Sequence, residues 1–375
     1  MNLHVFNDAH GFVLNVTIER FAQANALQKN CFINLNQKTI YKNEKVVYLK
    51  KNILAYRKAA RELSSIHSVT FYPFDDSAAW FLRELKRYQP SFEVKWVFWS
   101  YEFYYRPDRY AALLGKFSSQ YYKRHQTYLK KIRNAITLIA KKVLRIPFFD
   151  LGVLKSGYQQ VHVFYSFLPE DYRNVYAEIN NNQCSFRQIS FLSIDQITHD
   201  LLPAPLSHKI MIGHSAVPTA NHAEMLEQLS KKQIFNKLFI PLEYGEKQYK
   251  NEIKLLAKNL FNDRIEVLEN RLSMHEYYQK LSDIGYALFA FYKQEALGNI
   301  LFLVWNGAKV FLCEESSVYR QFKIWGLTVF SISQDFTKDQ FQHLLSPEES
   351  AKNKRIIEAL FSEQQLKTYW EALMD

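Results

Sequence analysis

Cysteine, glycine and proline are scarce in this sequence of 375 residues, which contains 3 cysteines, 10 glycines and 10 prolines. So little glycine and proline excludes fibrous and low-complexity proteins. Cys31, Cys184 and Cys313 stand far apart and lack the spacing of a metal site, so we expect reduced thiols in a reducing compartment. A chain of this length is expected to fold as two domains.

Targeting and membrane-spanning signals are also absent from the sequence. The N-terminus lacks the basic start, apolar stretch and small-residue cleavage site of a signal peptide. No run of about 18 apolar residues occurs, so no membrane-spanning helix is expected. These absences predict a cytoplasmic protein that is either soluble or peripherally attached to a membrane.

Acidic residues are missing from residues 109–149, although the same segment holds ten lysines and arginines. Its sequence "YLKKIRNAITLIAKKVL" places apolar residues at spacings of three and four, which is typical of an amphipathic helix with a basic rim. Three interpretations remain open for this segment. It is an ordinary helix docked on its own domain, a surface for anionic lipid headgroups, or a nucleic-acid site. No recognised nucleic-acid motif supports the third, so no nucleic-acid partner is expected.

Short apolar strands alternate with amphipathic helices through most of the chain. The pattern is clearest from "KIMIGHS" at residue 209 to "AKVFLCEES" at residue 316, and a long C-terminal helix is predicted after it. Such alternation predicts parallel sheets connected by crossover helices. We therefore predict an α/β protein with two Rossmann-like domains, residues 1–205 and 206–375, connected by a hinge near the proline-bearing link 202–206.

Small and polar residues follow the first strand of the second predicted domain, in "MIGHSAVPTANH". Ligands of open α/β sheets bind beyond the carboxyl ends of the strands, and the backbone amides of a following helix suit a phosphate or diphosphate. The candidate residues are Gly213, His214, Ser215, Thr219 and Asn221. The alternative is that Thr219 or Asn221 only caps the helix. Neither a P-loop nor a G-x-G-x-x-G fingerprint is present, which disfavours kinases, ATPases and dehydrogenases.

Three further loops are predicted at the same sheet edge. Tyr244 follows the next strand in "IPLEYG", and Ser273 with Glu276 matches a capping box, so that pair is expected to be structural. "FYKQEALGNILF" follows a later strand and either caps a helix or binds sugar hydroxyls. Its candidate residues are Gln294, Glu295, Gly298 and Asn299.

The stretches "MIGHSAVPTANHAEMLEQL", "FIPLEYGEKQYKNEI" and "YYQKLSDIGYALFAFYKQEALGNILFLVWNGAKVFL" resemble the second domain of glycosyltransferase family 56. These bacterial enzymes transfer 4-acetamido-4,6-dideoxygalactose in enterobacterial common antigen assembly. The chain departs from the family pattern at His214, where the family has Asn, and at Ser100 and Glu102, where it has Gly and Asp. These departures concern the transferred sugar rather than the reaction class.

The resemblance implies a GT-B fold, in which two Rossmann-like domains face each other across a cleft. It implies a dTDP-sugar donor bound by the second domain and a polyprenyl-diphosphate-linked saccharide as the acceptor. That acceptor lies at the inner face of the cell membrane, where residues 109–149 would contact anionic lipid. We therefore expect a peripheral protein of that surface. No cofactor is expected beyond the nucleotide-sugar substrate.

Departure of a diphosphate requires stabilisation of negative charge, and the acceptor hydroxyl requires a base. We assign the first task to the 213–222 loop, with Tyr244 as an additional candidate, and Glu295 to a ribose or sugar hydroxyl. Asp8, His10 and Glu102 are the candidates for the base. No metal site is predicted, since Asp75 and Asp76 lack the Asp-x-Asp spacing. An epimerase acting on nucleotide sugars, and a non-catalytic protein that binds lipid or nucleic acid, remain the alternatives.

Overall fold

The computed structural model describes residues 1–125, 128–202 and 204–374. The side chains of Phe12 and residues 128–132 are outside the described part of the chain. Lys130 and Lys131 of the predicted basic face, and Pro203 of the predicted link, therefore lie outside the described residues.

The strands form two sheets in which every strand pair is parallel. The first sheet has the order β3-β2-β1-β4-β5-β6-β7, and the second has the order β10-β9-β8-β11-β12-β13. Both orders begin in the middle and reverse direction once, as in doubly wound nucleotide-binding folds. The strands are β1 (Asn2–Phe6), β2 (Asn30–Asn34), β3 (Val46–Tyr48), β4 (Ser68–Tyr72), β5 (Glu93–Val97), β6 (Val163–Ser166), β7 (Ser185–Gln188), β8 (Ile210–Ile212), β9 (Leu238–Pro241), β10 (Ile265–Leu268), β11 (Tyr286–Phe289), β12 (Lys309–Leu312) and β13 (Phe330–Ser331).

Helices connect the strands, as the alternating pattern predicts. They are α1 (Phe12–Gln23), α2 (Ile53–Glu62), α3 (Asp76–Tyr88), α4 (Tyr101–Tyr104), α5 (Lys116–His125), α6 (Tyr128–Val143), α7 (Leu151–Tyr158), α8 (Pro169–Ile179), α9 (Ile194–Thr198), α10 (His222–Lys231), α11 (Lys247–Phe261), α12 (Met274–Leu281), α13 (Leu297–Trp305), α14 (Ser317–Ile324), α15 (Pro347–Phe361) and α16 (Glu363–Met374). None of those within the described residues combines the length and apolar character that crossing a membrane requires.

Local chemistry accounts for the burial of the central strands and for the ends of several helices. The strands β8 and β11 are apolar and buried on both faces, because helices cover both sides of a parallel sheet. The predicted capping box of Ser273 and Glu276 is present at the start of α12. The predicted single C-terminal helix is instead two helices, because Ser362 adopts an extended conformation between α15 and α16.

The chain forms two compact units that are not simple halves. The first contains Met1–Arg106, Thr127–Phe191 and Thr368–Asp375, and the second contains Pro107–Gln126 and Leu192–Lys367. The boundaries therefore differ from the predicted division at residue 205. The difference arises because a segment between β5 and β6 packs with the second unit, and the end of α16 packs with the first.

Candidate functional site

The loops after β8 and β11 leave the centre of the second sheet on opposite sides. The chain winds from β8 to β9 and β10 in one direction, and from β11 to β12 and β13 in the other. Ligands of doubly wound sheets bind in the crevice that opens between two such loops. We call this place the switch point. It brings together His214 and Glu295, which come from the two loops.

The loop after β8 is compact and buried. Gly213 has a φ of 62°, and a Cβ atom built there would lie 2.4 Å from His222 Nε2, so only glycine lets this ring pack against the strand end. The Ser215 hydroxyl lies 3.2 Å from His214 Nε2. Thr219 is buried in a 3-10 turn, Pro218–Ala220. Sequence order and burial therefore bring the predicted residues of this loop to one place.

Hydrogen bonds attach the loop after β9 to the loop after β8. The Ala216 N–H donates to the Tyr244 carbonyl at 2.7 Å, and the Glu246 N–H donates to the Ala216 carbonyl at 2.8 Å. Gly245 has a φ of 119°, and a Cβ atom there would lie 2.3 Å from the Ala216 oxygen. The exposed Tyr244 ring lies 6.0 Å from the His214 ring.

The loop after β11 contributes a buried ion pair. Lys293 Nζ lies 2.9 Å from Glu295 Oε2, and Glu295 Oε1 lies 3.7 Å from His214 Nε2. Lys293 is buried, and Gln294 beside it is buried as well. Sequence reasoning missed Lys293. Its position in the sequence, between a buried strand and the candidate residues Gln294 and Glu295, could have indicated it.

The helices that begin at the switch point lack side-chain caps. Asn221 precedes α10 with a φ of 52°, Ala296 precedes α13 with a φ of 53°, and neither caps its helix with its side chain. By contrast, serine side chains cap α9, α12, α14 and α15 of the same unit. Helix N-terminal amides that lack a side-chain cap favour an anionic ligand.

Two histidines beside these amides are buried and neutral. Burial lowers the pKa of His214, and it lowers the pKa of His222 to about 3. In the described part of the chain, His214 Nδ1 and His222 Nε2 have no hydrogen-bond partner. Buried polar atoms without a partner are rare in folded proteins, so these two atoms mark a site that a ligand or water completes.

The structure gives Asn221, a predicted residue of this site, another task. Asn221 Oδ1 accepts the Gly115 N–H at 2.8 Å, and Nδ2 donates to the carbonyls of Leu113 at 3.1 Å, Thr219 at 3.2 Å and Ala290 at 2.8 Å. Since both polar atoms of its side chain have protein partners, we assign Asn221 a positioning role in place of a ligand contact.

Asn299 and Gly298 lie in the first turn of α13. The Asn299 side chain donates to the Tyr277 hydroxyl at 3.0 Å, and Gly298 lies against the Tyr278 hydroxyl. Both therefore support the packing of α13 on α12, while Gln294 and Glu295 remain the candidates in this loop.

The candidate bases lie in the first unit and have different environments. Asp8 Oδ1 accepts the N–H groups of His10 at 2.9 Å and Gly11 at 2.8 Å, so this carboxylate holds the turn into α1. His10 is exposed. Glu102 is 6% exposed, and its Oε1 accepts hydrogen bonds from Trp96 Nε1 at 3.1 Å and the Trp99 N–H at 2.8 Å.

Among the candidate bases, Glu102 is a chemically unusual carboxyl. Burial, with a smaller contribution from the nearby Asp75, raises the pKa of Glu102 to about 8 against the opposing effect of its hydrogen bonds. Its Oε2 atom is buried and has no hydrogen-bond partner in the residues that the structure describes. A carboxyl with this pKa accepts and releases a proton near neutral pH.

Metal-binding clusters are absent from the described residues. No group of three His, Cys, Asp or Glu side chains gathers there in an arrangement that would hold a metal ion.

The chain is similar to one known protein family and to several solved structures. Residues 195–375 match the family described as 4-alpha-L-fucosyltransferase glycosyl transferase group 56. No curated protein matches the sequence. The matched region contains the whole switch point.

Solved structures resemble the chain over its full length. A glycosyltransferase from Rickettsia africae ESF-5 has 12% identity and a TM-score of 0.66, covering 100% of this chain and 97% of that one. An alpha,alpha-trehalose-phosphate synthase (UDP-forming) from Burkholderia vietnamiensis has 9% identity and a TM-score of 0.63, covering 99% and 96%. Anabaena Alr3699/HepE in complex with UDP has 8% identity and a TM-score of 0.53, covering 100% and 94%. At these identities the likeness concerns the fold, which is the predicted GT-B fold.

Proposed function

We propose the substrates of a glycosyltransferase, because residues 195–375 match glycosyl transferase group 56. The donor is a dTDP-linked deoxy-amino sugar of the 4-acetamido-4,6-dideoxygalactose type. The acceptor is a polyprenyl-diphosphate-linked saccharide of a bacterial surface glycan. The family match favours this transferase over the epimerase and the non-catalytic alternatives.

The arrangement at the switch point carries the proposal for the sugar donor. Two helices without side-chain caps begin where β8 and β11 end. The buried Lys293 lies there too, together with His214 Nδ1 and His222 Nε2, which lack hydrogen-bond partners within the described residues. Amides and a buried cation stabilise the negative charge that develops on a departing diphosphate. The Alr3699/HepE structure contains UDP, which is a nucleoside diphosphate of the class we propose for this site.

Glu295 is the proposed partner of a ribose or sugar hydroxyl. One of its oxygens is 2.9 Å from Lys293 Nζ and the other faces His214 at 3.7 Å. An ionised carboxylate is a strong acceptor for paired hydroxyls. Lys293 pairs with this carboxylate and would add positive charge for the diphosphate.

Glu102 is the proposed base for the acceptor hydroxyl. Its Oε2 atom is the free proton acceptor, because Oε1 is occupied by the two tryptophan hydrogen bonds. Asp8 is committed to the backbone of the turn that follows β1. We therefore favour Glu102 over Asp8 for this step.

Helix α6 is the proposed membrane contact. Ile139 is 63% exposed, Val143 is 75% exposed and Leu144 is 60% exposed, so these apolar side chains of the predicted amphipathic helix are not docked on the protein. Lys142 and Arg145 are exposed beside them. Apolar side chains with a basic rim suit the interface of an anionic bilayer, where the proposed lipid-linked acceptor resides.

Thermal unfolding with dTDP, UDP, GDP and CMP tests the proposal for the sugar donor. A ligand that binds the native state raises the melting temperature, and the rise is larger when the ligand concentration exceeds the Kd by a larger factor. We expect dTDP to give the largest rise, and release of dTDP from the sugar donor to require the lipid-linked acceptor. Equal melting temperatures with all four nucleotides and without them would show that the switch point does not bind a nucleoside diphosphate.

A further inference from the structure

Residues 107–125, which we call the strap, lie between β5 and β6 in the sequence but pack with the second unit. They include α5 and end immediately before the two residues that precede α6. A connection between two neighbouring strands normally packs on its own sheet. The strap does not pack on its own sheet, and its contacts with the second unit show what holds it there.

The strap contacts the loop after β8 through Asn221. The Asn221 side chain accepts the Gly115 N–H at 2.8 Å and donates to the Leu113 carbonyl at 3.1 Å. The same amide nitrogen donates to the Ala290 carbonyl at 2.8 Å, directly after β11. One buried side chain thus connects the strap with both sides of the switch point.

Glu224 forms a second contact between the strap and this loop. It lies in the first turn of α10, and its Oε1 accepts the Ser118 N–H at 2.9 Å while Oε2 accepts the Ser118 hydroxyl at 2.8 Å. Ser118 is 1% exposed, so the contact is shielded from water. A carboxylate at the N-terminus of α5 also interacts favourably with that helix's dipole.

The remainder of α5 is anchored in the core of the second unit. The Tyr121 ring lies 5.1 Å from the Tyr249 ring, and the Tyr249 hydroxyl accepts the His222 N–H at 3.3 Å. The Tyr121 hydroxyl donates to Glu246 Oε2 at 3.3 Å. The strap therefore contacts the loops after both β8 and β9.

We propose that the strap positions the loop that binds the nucleotide-sugar donor, with Asn221 and Glu224 as the positioning residues and Gly115 and Ser118 as their partners. This inference rests on the proposed binding of a nucleoside diphosphate at the switch point. The amides at the start of α10 depend on the strap because the strap holds the residue that precedes the helix and a residue of its first turn. Weakening the strap then lowers the affinity for the sugar donor.

Two truncations, a conservative replacement and a matched control test the inference. Glu224→Ala removes both bonds to Ser118, and Ser118→Ala removes the hydroxyl bond alone. We expect the Kd for dTDP, measured by titration calorimetry, to rise about tenfold and about threefold respectively. Glu224→Gln keeps an acceptor for the Ser118 N–H and is expected to restore most of the affinity.

Ser119→Ala is the matched control, because Ser119 follows Ser118 in α5 but its hydroxyl has no hydrogen bond within the described residues, and its replacement should leave the Kd unchanged. Steady-state kinetics separates positioning from a general loss of folding. We expect the KM for the sugar donor to rise while the KM for the acceptor stays constant. If Glu224 acted through its charge alone, Glu224→Ala and Glu224→Gln would both tighten the binding of the anion.

The outcomes distinguish this inference from the proposed function. If the unaltered protein binds no nucleoside diphosphate, the proposed function fails. If it binds dTDP, and Ser118→Ala and Glu224→Ala bind it equally well, the strap has no positioning role. Ser118→Ala, which keeps the backbone bond to Glu224, decides the matter if Glu224→Ala does not fold.

Discussion

His214 Nε2 lies 3.7 Å from Glu295 Oε1, although the two residues follow different strands of the second sheet. This contact joins the loop after β8 to the loop after β11 and so locates the switch point. Burial keeps His214 neutral, so the charge here belongs to the pair of Lys293 and Glu295. A carboxylate that is already paired with a buried cation can accept hydroxyl groups without being protonated.

Glu295→Gln is expected to raise the KM for the sugar donor about tenfold, because a hydrogen bond from a hydroxyl to a charged group is replaced by a neutral one. Steady-state kinetics with varied sugar donor measures this change. The control is Glu315→Gln, which replaces an exposed carboxylate in the loop after β12 and should leave the KM unchanged. An unaltered KM in Glu295→Gln would exclude a contact between Glu295 and the sugar donor.

Glu102→Gln is expected to lower kcat by at least about 100-fold, since the proposed general base is lost. The variant also changes the dependence of stability on pH. The carboxyl has an ordinary pKa of 4.5 and a pKa of about 8 in the folded protein, so the folded state holds an additional proton between these values. Stability from this group is therefore present below pH 4.5 and declines as the pH rises toward 8.

Thermal unfolding at pH 5, 6, 7 and 8 checks the second effect. As the pH rises through this series, the melting temperature of Glu102→Gln should increase relative to that of the unaltered protein. Parallel curves for the two proteins would show that Glu102 ionises normally, which contradicts its assignment as a base active near neutral pH.

Much of the fold was predictable because it depends on local patterns. Alternating strands and helices gave both parallel sheets, and Ser273 with Glu276 gave the capping box at α12. The place of the candidate site follows from the same patterns, since parallel strands end at one edge and polar residues follow β8, β9 and β11.

The rest depends on contacts between remote residues. The bond between Ser118 and Glu224 assigns the strap to the second unit, and no local pattern near either residue indicates it. The sequence predicts that Asn221 contacts a ligand or caps a helix, yet its partners include the strap and Ala290, directly after β11. The break at Ser362 was missed because both flanking segments have strong helical character.

Reversal of the charges of Lys141 and Lys142 tests the membrane contact of α6. Replacing both with Glu removes the attraction of two basic side chains, and we expect binding to anionic vesicles to weaken by at least about 30-fold. Co-sedimentation with vesicles of phosphatidylglycerol and phosphatidylethanolamine measures it. Replacing Lys231 and Lys232 at the end of α10 makes the same change of charge elsewhere and should have little effect.

The apolar residues of α6 provide an independent test of the same contact. Ile139→Ser with Val143→Ser keeps every charge but removes two exposed apolar side chains. We expect this variant to bind vesicles more weakly than the unaltered protein at both low and high salt, because the apolar contribution that it loses is not screened as the charges are. Vesicle binding that neither the lysine nor the apolar variant alters would exclude α6 as the membrane contact.

The buried His222 is expected to make the stability of the protein depend on pH. Burial, and next the neighbouring His214, lowers the pKa of His222 from 6.5 to about 3, so the folded state binds fewer protons than the unfolded state between these values. The contribution of the neutral ring is complete above pH 6.5 and is lost as the pH falls toward 3, with a slope of about 1.4 kcal/mol per pH unit. Urea unfolding at pH 5, 6 and 7 measures the free energy of unfolding for the unaltered protein and for His222→Gln. We expect the difference between them to shrink as the pH falls, because glutamine does not titrate. A constant difference would mean that His222 takes up its proton in the folded state, and a charged ring would then lie beside the amides of α10.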